Sequence, residues 1–551
     1  MRRRDALDPV IEALRTTLSD RDLARLVASW FATSAGKWAF LVTNLVIAYQ
    51  LGGPVAVGIL GLARYIPPTI VAPLAGLPTV RWAPDAVLVA TSAMRALCVA
   101  AAIGVVALGA PLPLLFAAVA LEAGVGAFTR PLTMALLPCV ARTPAQLVAA
   151  NVATMGAEGL GTFVGPAIAG VLLATIGPTG SLFAVLAIYA LGVAAIANLR
   201  VQVVGRSDAS LAAVRRQVTA GVHAVMTVPG PRLVVSGLGL QTVVRGLLTV
   251  LTVVAAVELL GMGEPGVGAM HAAMGAGGVV GALLAITLTG RRQLGPVFTV
   301  ALAAWGAPIV VIGLVAAPIA ALGALVAIGV SNAILDVAGY TVIQRTTPNQ
   351  SRVAVMGLLD SVANAGVALG GIIAPVLLAA FGIQGALVAT GFILPITAVV
   401  LWPAMRHLDD SVVVDERQAD LLRGVPLFAP LSLATIEHLA SELTPVEFAD
   451  GAWLMREGEA GDRYYLVASG ELEVTRTGSH RARVGAGEGV GEIALLDAVP
   501  RTASVRAIGQ VQAYALERDA FLEAVTGHAV SYRAARTVAD GYLASMAEGT
   551  A

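Results

Sequence analysis

Long apolar runs, separated by short turns rich in Gly and Pro, follow one another through residues 25–403. A helix needs about 20 apolar residues to cross the hydrocarbon core of a bilayer. Runs of that length fall near 25–48, 55–77, 85–108, 112–136, 145–173, 180–199, 232–257, 266–289, 296–316, 318–342, 353–381 and 384–403. The pattern predicts an all-α membrane bundle of twelve transmembrane helices, in two six-helix halves at 25–199 and 232–405. An N-terminal segment (1–24) with a surface helix over 8–24 precedes the bundle, a loop (200–231) joins the halves, and a linker (406–419) follows them. The pattern then changes. Short helices are predicted at 415–422 and 435–443, and from Val446 onward short strands alternate with glycine-marked turns. That rhythm predicts a C-terminal β-roll with flanking helices over 420–551.

Basic residues orient the bundle. Arg2, Arg3 and Arg4 precede the first run, and Arg81, Arg142, Arg200, Arg206, Arg215, Arg216, Arg232, Arg291, Arg292, Arg345, Arg352 and Arg406 fall at every second turn. The intervening turns at 50–54, 109–113, 175–181, 258–265, 316–320 and 381–385 contain no Lys or Arg. By the positive-inside bias both termini are cytoplasmic, and the expected location is the cell inner membrane. No apolar run follows the Arg2–Arg4 start directly, so no cleavable signal is expected.

Composition agrees with two solvent classes in one chain. The protein is 57% hydrophobic and 13% charged, against about 25% charged in a soluble domain. Its net charge of zero conceals a split: residues 1–411 hold 23 basic and 15 acidic residues, and residues 412–551 hold 12 and 20. The two cysteines, Cys98 and Cys139, lack metal-ligand spacing and are expected to be buried and inert.

The halves echo each other. Gly53-Pro54 with Val57-Gly58 matches Glu264-Pro265 with Val267-Gly268. Gly165, Ala169-Gly170-Val171-Leu172-Leu173-Ala174 and Gly177 match Gly370, Ala374-Pro375-Val376-Leu377-Leu378-Ala379 and Gly382. Paired six-span halves are the architecture of a rocking carrier. With Phe128-Thr129-Arg130-Pro131, Leu137-Pro138, Ala150-Asn151, Gly165-Pro166 and Gln344-Arg345, residues 25–405 resemble the major facilitator superfamily, most closely its bacterial drug and siderophore exporters. The family's acidic–basic signature after the second span is reduced here to Gly76–Trp82, without the usual acid.

Ionisable groups at membrane depth are expensive and tend to face a cavity or a partner. Lys37, the only lysine, Glu122 and Glu158 fall mid-run, and Arg245 and Asp336 lie in the second half. The resemblance implies that spans 1, 4, 7 and 10 line the cavity, which selects Lys37, Glu122 and Arg245. Glu158 and Asp336 complete the set of transport and proton candidates, a buried carboxylate being able to exchange a proton near neutral pH. Arg95, Arg130, Asp336 and Asp360 also suit interhelix ion pairs, and His271 suits packing.

In the tail, Gly491-Glu492-Ile493-Ala494 precedes Pro500-Arg501-Thr502-Ala503. A short helix opening at Gly491 offers free N–H groups to an anion, Glu492 can accept from a ribose hydroxyl, and Arg501 suits a phosphate. The cassette resembles that of the cyclic-nucleotide-binding domain. The resemblance implies that Glu492 takes the ribose 2′-hydroxyl and Arg501 the cyclic phosphate, with Gly491, Ala503 and the N–H groups of Ile493, Ala494 and Thr502 around it. The helical segments carrying Tyr532 and Tyr542 would then form a lid over the base.

The expected function is a secondary active transporter, a proton-coupled exporter of small lipophilic or amphipathic compounds regulated by cytoplasmic cAMP (or cGMP). The alternative is a membrane-anchored cyclic-nucleotide receptor that does not transport, which the reduced 76–82 signature favours. No Ser/His/Asp cluster, metal motif or phosphate-binding loop is evident, so neither an enzyme nor a cofactor is expected. Expected partners are the lipid bilayer, the nucleotide and a small-molecule substrate, with homo-oligomerisation open. No nucleic acid is expected, since no helix-turn-helix fits after the roll.

Overall fold

A computed structural model of the protein describes residues 20–72, 82–141, 144–197, 199, 211–288, 293–347, 349–411, 416–429, 431, 433–476, 479–497 and 499–526. The expectations for Arg2–Arg4, Arg81, Arg142, Arg200, Arg206, Arg291, Arg292, Tyr532, Tyr542 and most of Gly76–Trp82 lie outside them. The chain divides into two compact units, Met1–Leu408 and Asp409–Ala551.

The first unit is helical. Its elements are α1 (Arg21–Val71), α2 (Pro84–Ala107), α3 (Leu112–Gly126), α4 (Thr129–Val140), α5 (Pro144–Ile196), α6 (Leu211–Thr227), α7 (Pro229–Val254), α8 (Gly263–Ala285), α9 (Gly295–Val315), α10 (Pro318–Thr346) and α11 (Asn349–Ser411). Start signals are explicit in the sequence. Asp20 caps α1 by accepting from the N–H groups of Asp22 and Leu23 at 3.0 and 3.3 Å. Proline occupies the first turn of α2, α7, α9 and α10, where its missing N–H costs nothing.

Nine apolar stretches long enough to cross a membrane occur among the described residues, where the hydrophobic runs number twelve. The difference lies in α1, α5 and α11, of 51, 53 and 63 residues. Each joins two expected spans across a glycine outside helical geometry: Gly53 (φ 61°, ψ −158°), Gly177 (φ 69°, ψ −177°) and Gly382 (φ 64°, ψ 178°). Only glycine takes this conformation without strain. The near-identity at Gly177 and Gly382 carries the sequence repeat into the backbone. The expected 112–136 span is divided between α3 and α4 by tight turns in which Ala127 and Phe128 donate to Gly124 and Val125. Within the 200–231 loop, 211–227 is the helix α6, an element the run pattern did not predict.

The helices approach closely at glycines, which suits packing in lipid, where no hydrophobic force drives helices together. A Cβ on Gly165 would overlap the Ala35 carbonyl of α1, and one on Gly370 would overlap the Val243 carbonyl of α7, at matched positions of the repeat. Three further contacts join the halves, one of them Gly275 against the backbone of Thr162 and Phe163. Gly58 abuts the backbone of Gly371, with Pro375 beside it, and Gly268 abuts Gly170, with Pro166 beside it. Near them Tyr49 hydrogen-bonds Glu258, and Gln50 hydrogen-bonds Glu264.

Cys98 is buried as expected, but Cys139 is exposed. The buried stripe of α4 runs through Thr129, Leu132, Thr133, Leu136 and Leu137, and Cys139 falls off that stripe.

The second unit contains α12 (Glu416–Gly424), α13 (Leu433–Glu442), β1 (Thr444–Phe448), β2 (Trp453–Met455), β3 (Arg463–Arg476), β4 (Ser479–Val484), β5 (Gly489–Val490), α14 (Glu492–Leu496), β6 (Ser504–Glu517) and α15 (Arg518–Thr526). The antiparallel sheet runs β1-β6-β3-β4, with β2 also on β6 and β5 on β3. Val467, Leu472, Val505 and Val511 fill the roll. Leu422, Phe428, Leu439 and Phe521 pack the helices onto Tyr464, whose ring stacks on Phe521 at 5.1 Å.

Gly268→Leu is expected to lower the thermal midpoint of the detergent-solubilised chain by forcing the halves apart, an overpacking cost of about 1–3 kcal/mol. Gly61→Ala, at a position with nothing within 4 Å of the added methyl, is expected to leave the midpoint unchanged. Equal effects would contradict the close approach at Gly170.

Candidate functional site

The tail site is assembled from β2 to β6. Gly491 sits at φ 102° before α14, and a Cβ there would lie 2.5 Å from Arg501 Nη1, so glycine is required on both counts. Glu492 and Arg501 are 5% and 3% exposed. Arg501 Nη2 donates to the Arg463 carbonyl at 2.7 Å and to Asp462 Oδ1 at 3.2 Å, while Nη1 donates to the Gly491 carbonyl at 3.2 Å. Burial pushes the Glu492 carboxyl above its ordinary range, while the N–H groups of Glu492 and Gly491 and the charge of Arg501 pull the other way.

These groups line one cavity of about 120 Å³. All seven cassette residues named from the sequence border it: Gly491, Glu492, Ile493, Ala494, Arg501, Thr502 and Ala503. Its opposite wall is apolar, formed by Met455, Val474, Ala482 and Val484. Sequence reasoning missed this wall, since inward-facing strand residues carry no motif. It also missed Asp462, whose role as partner of Arg501 depends on a strand crossing 39 residues away.

In the helical unit the candidates separate into two groups. Lys37 and Glu158 line a cavity of about 200 Å³ together with Arg64, Arg95 and Arg130. Glu122 is fully buried at the hub of an ion cluster. Its Oε1 accepts from Arg95 Nε and Nη2 at 2.9 and 2.6 Å and from Tyr189 Oη at 2.7 Å, and its Oε2 accepts from Arg64 Nη1 at 3.2 Å. Gly126 makes room for the Arg95 guanidinium, which a Cβ would meet at 3.4 Å.

Arg245 and Asp336 meet in the second half through Asn332. Asn332 Oδ1 accepts from Arg245 Nη2 and from Trp305 Nε1 (3.1 Å), and its amide donates to Asp336 Oδ2 at 2.8 Å. Arg245 lines a separate, smaller cavity with His271, whose Nδ1 is 2.9 Å from the Val267 carbonyl of its own helix. Tyr189 and Asn332 were not singled out from the sequence. A lone amide or phenol in an apolar helix was the only available signal.

Comparison with known proteins places both units. The model of the cyclic nucleotide-binding domain matches residues 445–528. The cGMP-dependent protein kinase egl-4 of Caenorhabditis briggsae is 33% identical over 117 residues, 21% of this chain and 16% of that protein. A cAMP-dependent protein kinase regulatory subunit of Emericella nidulans is 37% identical over 119 residues, 21% of this chain and 29% of that protein. The chain thus spans less than a third of either relative, and the kinase resemblance is confined to the regulatory region. A co-crystal structure of the regulatory domain of Toxoplasma gondii PKA with cAMP aligns at 24% identity and TM-score 0.22, covering 25% of this chain and 56% of that one. The model of the Major Facilitator Superfamily matches residues 26–358 and again 234–442. The first match alone exceeds half of the sequence, and with it the chain belongs to the Major Facilitator Superfamily, carrying a cyclic nucleotide-binding domain in its tail.

Proposed function

We propose that the protein is a proton-coupled exporter of small amphipathic compounds whose turnover is set by a cyclic nucleotide, cAMP ahead of cGMP, bound in the tail. The observation that carries the regulatory part is the burial of Glu492 and Arg501 on one cavity. A buried acceptor for a ribose hydroxyl and a buried guanidinium for a cyclic phosphate are the two contacts such a ligand needs. The preference for cAMP follows from the apolar wall: both purines carry one exocyclic amino group, but guanine adds a carbonyl and a ring N–H, and Thr502 has the only side-chain hydroxyl bordering the cavity among the described residues. Export is the direction implied by the exporter-like marks at Phe128–Pro131 and Gly165–Pro166. We place both termini and the tail in the cytoplasm of an inner-membrane protein, on the basis of the alternating arginines.

Of the two acids in the first half, Glu158 is the better proton carrier. It is half-buried on the cavity, and no described side chain donates a hydrogen bond to its carboxylate. Glu122 is committed to two guanidiniums and a phenol, and we assign it the role of anchor.

Four substitutions test this reading. Arg501→Ala in the full chain in nanodiscs should weaken cAMP binding by roughly 30-fold or more, since stranding a buried charge partner costs about 2–5 kcal/mol. It should also remove the nucleotide's effect on flux in proteoliposomes, and flux indifferent to cAMP in the parent chain would refute regulation.

Glu492→Gln tests the raised carboxyl. The folded tail holds that proton more tightly than the unfolded chain does. The group's stabilising contribution is therefore full below the ordinary carboxylate pKa and is lost as pH rises through the raised value. At neutral pH the glutamine should raise the unfolding temperature of the empty tail while weakening cAMP about tenfold, by loss of a hydrogen bond to a charged group.

Glu158→Gln should abolish flux driven by a pH gradient but leave substrate counterflow intact. Glu122→Gln should instead destabilise the bundle by about 3–5 kcal/mol, because two guanidiniums lose their partner.

A further inference from the structure

The first-half cavity carries an excess of positive charge. Lys37, Arg64, Arg95 and Arg130 line it against one lining carboxylate, Glu158. Glu122 lies behind them, shared by Arg64 and Arg95. From α11, Asp360 acts electrostatically on Arg130. With all three acids ionised, one positive charge still has no counterpart in this group. A guanidinium keeps its proton at any accessible pH, so the excess cannot be relieved at the arginines. An uncompensated charge at bilayer depth is costly, and it is relieved either by an anion or by loss of a proton from Lys37, the one cation of the four that can lose it.

The four cations are unequally satisfied. Arg95 distributes its donors over Glu122, Thr129 and Tyr189. Arg64 gives Nη1 to Glu122, and its buried Nε has no acceptor. Lys37 makes no hydrogen bond or ion pair among the described residues, and its ammonium lies 5.6 Å from the centre of the Trp38 ring. Around these groups Trp30, Tyr65 and Pro68 give the same cavity an apolar, partly aromatic wall.

We infer that the cargo is a small amphipathic organic anion, whose carboxylate or phosphate completes the charge balance at Lys37 and Arg64 while its apolar body lies against Trp30 and Tyr65. The inference rests on the transporter reading and narrows its substrate class. It separates this cavity from exporter sites built around an unpaired acid, which would select cations. It also gives the lone lysine a role, since a compact ammonium on a flexible stem can follow an anion as it enters and leaves.

The test uses the full chain in lipid nanodiscs and three matched aromatic probes: naphthoate, its methyl ester and naphthylmethylammonium. Binding is read by competition and by quenching of tryptophan fluorescence. Naphthoate should bind at least about tenfold more tightly than either of the others, a difference of about 1.4 kcal/mol. Lys37→Gln should erase most of that preference, and Lys37→Arg, which keeps the charge, should retain it. Ester or ammonium binding as tight as naphthoate, naphthoate binding unchanged in Lys37→Gln, or saturable binding of none of the three would overturn the inference. Flux of the same probes in proteoliposomes separates the two readings. Charge-blind flux keeps the transporter and sinks the anion. Anion-selective binding without flux keeps the anion and sinks the transporter.

Discussion

The helical unit depends on places where backbone touches backbone across its halves, Gly275 against Thr162 and Phe163 among them. In lipid, apolar side chains gain nothing by leaving their surroundings, so helices are held by close packing and by the few polar groups they share. Gly58 against Gly371 and Gly268 against Gly170 supply that packing, each with a proline of the facing helix alongside. The repeat makes the pair self-consistent. Gly268 corresponds to Gly58, and Pro166 and Gly170 correspond to Gly371 and Pro375, so one contact is made twice. Both lie next to turns without basic residues, where Tyr49–Glu258 and Gln50–Glu264 add polar ties. Lys37 lies 15 residues before Gly52 in α1, about 20 Å along the helix. The Gly58 and Gly268 contacts and Lys37 therefore occupy different depths of the bundle.

Symmetry of scaffold does not extend to symmetry of chemistry. The first half gathers its charge on Glu122, a carboxylate with no exposed surface that four hydrogen bonds hold in place. The second half uses a neutral hub, Asn332, whose carbonyl accepts from Arg245 and Trp305 and whose amide reaches Asp336. A carboxylate hub fixes guanidiniums by charge, and an amide hub orients a cation and an acid without neutralising either. The half with the ionic hub also lines most of the charged cavity and carries the one lysine. Repeat units that share a backbone plan therefore differ in their polar chemistry.

Much of this was legible in the sequence. The apolar runs gave the helical bundle, and the repeat of Gly58, Gly165 and Gly177 at Gly268, Gly370 and Gly382 marked positions that the structure uses for matched bends and contacts. The Gly491–Ala503 cassette was readable because acid, arginine and glycine stand close in sequence, where spacing alone places them on one cavity. Three features were not legible. Hydrophobic periodicity does not distinguish a loop from a single left-handed glycine, so α1, α5 and α11 read as separate helices. Glu122 read as a cavity candidate without named partners, because those partners lie 58, 27 and 67 residues away. Cys139 read as buried because an apolar neighbourhood in sequence does not reveal which stripe of a helix packs.

In the tail, the ion pair that holds Arg501 is unevenly buried. Arg501 is 3% exposed, yet the carboxylate paired with it, Asp462, belongs to a largely exposed side chain at 68%. A pair of that kind is weakly held, because water competes for the acid while the guanidinium is shielded. A phosphate bound at Arg501, as proposed, would compete directly with Asp462. Asp462 is not an isolated loop residue. Its carbonyl accepts from the N–H of Arg518, the first residue of α15, and Arg518 Nη1 donates to the neighbouring Gly461 carbonyl at 3.2 Å. Phe521 of α15 packs in turn on Tyr464 and Phe428. The residue that pairs with Arg501 is therefore hydrogen-bonded to the start of α15, and through Phe521 it connects to the apolar cluster of α12, α13 and α15.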